Sequence, residues 1–237
     1  FFGGIPINTN LCYSNPDVVE SFAEKVVAYA KKHPEVDYLH VWLADAANNH
    51  CECENCQKSI PTDLYVRILN RIDALLTEKK LKTKIVFLIY EELLPAPPAY
   101  VRNKITLPVN LEENLSFLNQ WQKAFNGECF DYDYPLGRAH YGDMGYVHIS
   151  KIIYDDIKYL KELHLDGYIS CQELRAFLPN GLPNYVMGKC LFGTTQTFEE
   201  LAEEYFSAAY GENWKIYYEY LSQVSALCDC DYFNGKG

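Results

Sequence analysis

Apolar runs that read as strands alternate with longer segments of helical periodicity along most of this chain, and that rhythm constrains the fold more than any other feature. The strand segments are residues 38–45, 85–90, 105–109, 129–134 and 168–171. Ahead of the first, Asn15-Pro16-Asp17 supplies a helix start: a capping amide, a proline at the first helical position and an acid facing the helix dipole. Phe22, Val26, Tyr29 and Ala30 then recur at helical spacing until His33-Pro34. A second helix is predicted over 62–80, carried by Leu64, Tyr65, Ile68, Leu69, Ile72, Leu75 and Leu76. A third passes through Leu115, Leu118, Trp121 and Phe125 and stops at Gly127, a fourth covers 150–164, and a helical tail follows Asn184.

Strands separated by helices form a parallel sheet, and strands that are apolar throughout belong to sheets covered on both faces. No Gly-x-Gly-x-x-Gly or phosphate-cradling loop follows any strand, which removes the main nucleotide-binding signatures of an open doubly wound sheet. A (β/α) barrel is therefore the expected architecture. Polar residues gather just after strand ends, at Asp45, Glu91, Asp131 with Asp133, and Glu173, where barrel enzymes keep their chemistry. Because a barrel needs eight strands, the expected layout is a partial (β/α) barrel over 1–192 holding its C-terminal five or so strands. About three strands are expected to precede Phe1, and residues 193–237 to form a helical C-terminal extension packed on the barrel.

The first strand runs into a loop that becomes Cys-x-Cys-x-x-Cys, placing Cys51, Cys53 and Cys56 within six residues. Thiols so closely spaced converge on one soft metal ion or cross-link locally. His50 is badly placed next to Cys51, and Cys12, just before a helix start and at the end of a preceding strand, is the better fourth ligand. Four thiolates would close a structural zinc site; a disulfide within the motif and free thiols are the alternatives. Cys129, Cys171 and Cys190 sit in strand or helix patterns and read as small buried apolar groups. Nine cysteines at irregular spacing suit a reducing compartment better than a fully paired secreted scaffold, so a cytoplasmic location is expected.

A formal charge of -11 with no Lys/Arg cluster argues against nucleic acid and anionic membrane as partners. No apolar run is long enough to cross a bilayer. Twenty tyrosines, twelve phenylalanines and three tryptophans exceed what a plain core needs, and stacking on sugar faces is one use for the surplus.

Leu11-Cys12-Tyr13-Ser14-Asn15-Pro16, the Asp45 loop with its cysteines, Pro61-Thr62-Asp63, Phe130-Asp131-Tyr132 and Ala209-Tyr210-Gly211, in that order, resemble the bacterial family called domain of unknown function 4838. The resemblance spans Leu11 to Tyr220. Ala46 and Ala47 replace the family's usual glycines, and Phe130 a common tryptophan. The resemblance implies the carboxyl-terminal part of a glycoside-hydrolase-type barrel, akin to β-N-acetylhexosaminidases and α-glucuronidases, with carbohydrate as partner. Asp45, Asp131 and Glu173 are then the candidate catalytic carboxyl groups, since glycosidic cleavage uses one protonated acid and one ionised partner. Asn48, Asn49, Tyr90, Tyr132, Arg138, His140, Tyr141 and Arg175 are the candidate sugar contacts at the same barrel end. Hydrolysis of a hexosaminide or uronide is the expected function. The alternatives are a non-catalytic carbohydrate-binding or scaffold module, and a redox or metal-sensing device built on exposed thiols.

Overall fold

A computed structural model describes residues 9–44, 49–90, 93–94, 111–135, 142–171 and 179–229. The chain divides into two compact units, Phe1–Asn126 and Gly127–Gly237. Both mix helices with short parallel strands, and among the described residues the strands form two separate parallel pairs without closing into a barrel.

In the first unit, α1 (Pro16–Lys32) starts at Asn15, whose side chain accepts the Asp17 amide, with Pro16 at the first helical position, as the sequence predicts. The fully buried stripe is Val19, Ala23, Val27 and Ala30; of the positions in the periodicity reading, Phe22 and Val26 pack half-buried at its edge and Tyr29 lies outside it. Tyr29 is exposed and stacks on His33 at 4.3 Å. The correction has a packing cause: small residues on one side let α1 lie close against α2 (Pro61–Glu78), while the larger rings sit at the rim. All seven apolar positions predicted for α2 are buried. Arg71 of α2 grips Glu20 of α1 through two hydrogen bonds, of 2.6 and 2.5 Å.

Strand β1 (Tyr38–His40) pairs in parallel with β2 (Lys84–Val86), in the register Leu39 with Ile85. Both strands are shorter than the apolar runs that announce them, because the ladder ends soon after the Val41 amide reaches the Val86 carbonyl. Along and beyond the ladder, Leu39, Val41, Leu43, Ile85, Phe87 and Ile89 pack onto the helical core. The alternate residues Tyr38, His40 and Trp42 are exposed. Helix α3 (Leu111–Ala124) docks through Trp121, whose indole N–H donates to the Leu94 carbonyl at 2.8 Å. The expected strand at 105–109 lies outside the described residues.

In the second unit, β3 (Phe130–Asp133) pairs in parallel with β4 (Gly167–Ser170), Asp131 opposite Tyr168. Four helices surround one core: α4 (Val147–Tyr159), α5 (Leu182–Leu191), α6 (Phe198–Tyr210) and α7 (Trp214–Leu227). Helix α6 opens with a capping box, the Thr197 hydroxyl accepting the Glu200 amide at 3.2 Å and the Glu200 carboxylate accepting the Thr197 amide at 2.8 Å. Thr197→Ala is expected to cost about 1 kcal/mol, read as a lower urea midpoint at unchanged slope.

The start of α4 rests on a buried polar node. Asp143, 6% exposed, accepts the amides of Gly145 (3.0 Å) and Tyr146 (2.9 Å) and the Ser225 hydroxyl (2.5 Å) on one oxygen, and the Ile149 amide (2.8 Å) on the other. Ser225 of α7 in turn accepts the Val147 amide, and Asn180, which accepts the Leu182 amide at the start of α5, donates to the Gly145 carbonyl. One carboxylate thereby links the beginnings of α4 and α5 to the body of α7. The helix begins three residues before the predicted position 150, and Tyr146 just before it takes a left-handed φ of 64°.

Candidate functional site

The four predicted thiols meet. Cys12, Cys51, Cys53 and Cys56 bring their sulfurs within 4.8 Å of one another, although Cys12 is 41 residues from Cys53 and 44 from Cys56. Local bonds explain the convergence. The Asn15 amide closes a turn onto the Cys12 carbonyl, the Asn10 amide donates to Asn49, and the Asn10 side chain accepts the Ala44 amide at 2.8 Å. These tie the segment before α1 to both sides of the loop that follows β1. On the other side, Cys53 to Ser59 turn through a short 3-10 segment, Cys56–Lys58, that leads into α2. Tyr65 of α2 donates to the Val41 carbonyl, and Cys12, Cys51 and Cys56 pack on the helical core.

The spacing fits a tetrahedral ion. Metal–sulfur bonds of about 2.3 Å place ligand sulfurs about 3.8 Å apart along each tetrahedral edge. Cys12 lies 3.6 Å from Cys53 and 3.8 Å from Cys56, distances too long for any disulfide. The Cys56 amide points at the Cys53 sulfur at 3.5 Å, the kind of N–H···S contact that steadies a bound thiolate. Sequence reasoning missed Ser14, whose hydroxyl is 3.1 Å from Cys56, 3.4 Å from Cys12 and 3.6 Å from Cys53. The signal was a hydroxyl two residues beyond a ligand cysteine.

The Cys53 amide favours a Cys51 thiolate, but burial and contact with the three other sulfurs prevail and push that thiol up to about 12. Cys53, which receives the Cys56 amide and the Ser14 hydroxyl, is pulled down to about 6. Four sulfurs this close cannot all ionise unless a cation sits among them. The arrangement can therefore hold one metal ion with no open position, which suits a structural role.

The carboxylate candidates are distributed differently. Asp45, Asn48, Arg138, His140, Tyr141, Glu173 and Arg175 lie outside the described residues. Asn49 precedes the cysteine motif, accepting the Asn10 amide, and Tyr90 follows β2, its carbonyl accepting the Leu93 amide. On β3, strand alternation sends Asp131 and Tyr132 to opposite faces. Asp131 and Asp133 share their side with Tyr168, which hydrogen-bonds Asp133 at 3.3 Å and packs on the helical core. Asp156 of α4 repels both acids. Tyr132 faces the other way with Tyr134, their rings 5.5 Å apart, and hydrogen bonding to Tyr134 and Cys171 pushes its hydroxyl up. Of the three cysteines expected to be buried, Cys190 is, Cys129 is half-buried, and Cys171 is exposed because it follows the last paired residue of β4.

Burial pushes the Asp131 carboxyl from its ordinary 3.8 up to about 6, repulsion from Asp133 and Asp156 adding to the effect and the Tyr132 amide opposing it. The folded chain thus holds this proton more tightly than the unfolded chain, so between about pH 4 and pH 6 stability falls as pH rises. Asp131→Asn, which cannot ionise, is expected to exceed the wild type by about 1–2 kcal/mol above pH 6, allowing for solvent that reaches the group, and to lose that advantage below about pH 4. Thermal unfolding of both proteins across that range checks it. Equal pH profiles would show that Asp131 carries no such strain.

No helix among the described residues is long and apolar enough to cross a membrane. Neither the curated proteins nor the solved structures give a match to this chain. The model of one family does match, across residues 5–221, taking in the thiol cluster and both parallel strand pairs. The chain belongs to the family described as Domain of unknown function (DUF4838).

Proposed function

We propose that this chain is part of a carbohydrate-active (β/α) barrel protein of glycoside hydrolase type, acting on a hexosaminide or uronide, in which a structural zinc ion fixes the loop after β1. The observation that carries the reading is the convergence of Cys12 on Cys51, Cys53 and Cys56 directly beyond Asp45–Asn48. A closed metal centre at the carboxyl end of a parallel strand costs much polar clustering, and it earns its place by holding a strand-end loop rigid, as positioned carboxylates and amides require. The parallel pairing of all four described strands and the aromatic surplus support the same reading. In it, Asp45 and Glu173 are the carboxyl groups at strand ends. Asp131, with its raised affinity for a proton, has the character of a general acid.

One observation favours a second reading, a carbohydrate-binding module without turnover. Asp131 shares its side of β3 with Asp156 and Tyr168 of the helix-covered face, while Tyr132 and Tyr134 offer rings on the opposite face. An acid and a ring on opposite faces do not act on one sugar.

Both readings are tested on the protein with zinc retained. Turnover of chromogenic hexosaminides or uronides that is lost in Glu173→Gln and Asp45→Asn supports hydrolysis. Binding of the corresponding monosaccharides without turnover supports the module, and absence of both removes carbohydrate. Elemental analysis of protein purified without chelator is expected to give about one zinc per chain.

A further inference from the structure

The thiol cluster is closed as a ligand set but not equally shielded from solvent. Cys56 is buried at 5% exposure, Cys12 and Cys51 are half-buried, and Cys53 is exposed. Its sulfur lies 3.6 Å from that of Cys12. Among the described residues the other exposed cysteine is Cys171, which hydrogen-bonds Tyr132 and does not belong to the thiol cluster. Cys53 therefore combines two properties that redox-sensing cysteines need, access to a soluble oxidant and a resolving thiol beside it.

We infer that Cys53 is an oxidation site through which a hydroperoxide opens the metal centre, with Cys12 as the resolving thiol; the inference rests on the four-thiolate metal reading above. In the first step the Cys53 sulfur attacks the peroxide O–O bond. A sulfur–oxygen bond forms, the sulfur is oxidised by two electrons to sulfenic acid, and the peroxide is reduced to the corresponding alkoxide or hydroxide, which takes a proton. In the second step the Cys12 thiolate attacks the Cys53 sulfur. The S–S bond forms, the S–O bond breaks, and hydroxide leaves and is protonated to water. The two sulfurs must close from 3.6 Å to bonding distance, a move permitted by the irregular segment that carries Cys12 ahead of α1. Two of four ligands are then consumed, and Cys51 with Cys56 alone do not retain the ion. Because Cys12 is tied through Asn10 to Ala44 and Asn49, the same event pulls on the loop after β1. Oxidation would thus switch off the proposed strand-end site without touching it.

The test uses the zinc-loaded full chain and hydrogen peroxide. Zinc release is followed with a chromogenic chelator, sulfenic acid is trapped with a dimedone-type probe, and disulfides are mapped after alkylation. Expected are zinc release in step with a Cys12–Cys53 disulfide, and probe adduct on Cys53 exceeding that on Cys56 by about tenfold. Ser14→Ala keeps all four ligands and removes a hydroxyl that faces three of the sulfurs; it should retain zinc and, on oxidation, release it with the same Cys12–Cys53 disulfide, a different disulfide counting against the inference. Zinc that stays bound with thiols reduced, first oxidation at Cys51 or Cys56, or release without a Cys12–Cys53 bond overturns the inference while leaving the metal centre intact. A protein that carries no metal before oxidant is added overturns both.

Discussion

Stripping the metal from the holoprotein is expected to destabilise the first unit by on the order of 5 kcal/mol and to loosen it unevenly. The four thiols bring together the segment before α1 and the loop between β1 and α2, so in the proposed metal-bound form both would lose their anchor together. Helices α1 and α2 keep an apolar interface of their own, through Ala23, Val27, Ile68 and Ile72, and that part should survive. Hydrogen exchange is expected to rise at residues 9–15 and 49–60 and to stay slow within the two helices. Cys56→Ser, which removes the buried ligand, should reproduce the pattern, and Cys171→Ser should not. Unchanged exchange in both segments after complete metal removal would mean that the thiol cluster is a bystander.

The second large effect is expected at Asp143. Replacing it with alanine leaves three backbone amides and the Ser225 hydroxyl without their acceptor in a buried place, and a loss of about 3–5 kcal/mol follows. Asp143→Asn keeps the shape but offers only one accepting oxygen, so an intermediate loss is expected. Gly145 is the companion position. A Cβ there would collide with the Leu221 carbonyl and the Ser225 side chain, so Gly145→Ala must push α7 away from the start of α4. Chemical denaturation of the three variants orders them: alanine at 143 and at 145 lowest, asparagine between them and the wild type. A stability near wild type for Asp143→Ala would refute the role given to this node.

What the sequence made legible follows from how local the controlling interactions are. Asn15-Pro16-Asp17 and the seven apolar positions of α2 are read correctly because caps and helical faces are set by neighbours within a few residues. Cys12 could be paired with the distant motif because few residue types complete a thiolate set. The strand lengths could not be read. A ladder ends where its partner ends, and nothing in 38–45 records that β2 has only three paired residues. Nor could the facing of Asp131 be read from Phe-Asp-Tyr-Asp. Its alternation is plain, but a strand meant for cover on both sides does not declare which side meets the helices. Asp143 went unnoticed because its glycine-bearing surroundings read as loop, although an acid just before an apolar helical run is a capping signal.

The spacing of the four thiols also bears on the order in which the first unit assembles. Three of them are neighbours in sequence, so the unfolded chain can seize the ion with Cys51, Cys53 and Cys56 before any tertiary structure exists. Only Cys12 must travel. Its arrival closes the loop from Cys12 to Cys51, which contains the whole of α1 and β1, at an entropic cost that grows only as the logarithm of the loop length. Metal already bound by the unfolded chain diminishes the net stabilisation, yet it supplies a fixed target for that closure. On the metal-centre proposal the ion would be an early nucleation point as well as a final clasp, and zinc added at the start of refolding should quicken the docking of α1 more than zinc added afterwards steadies it.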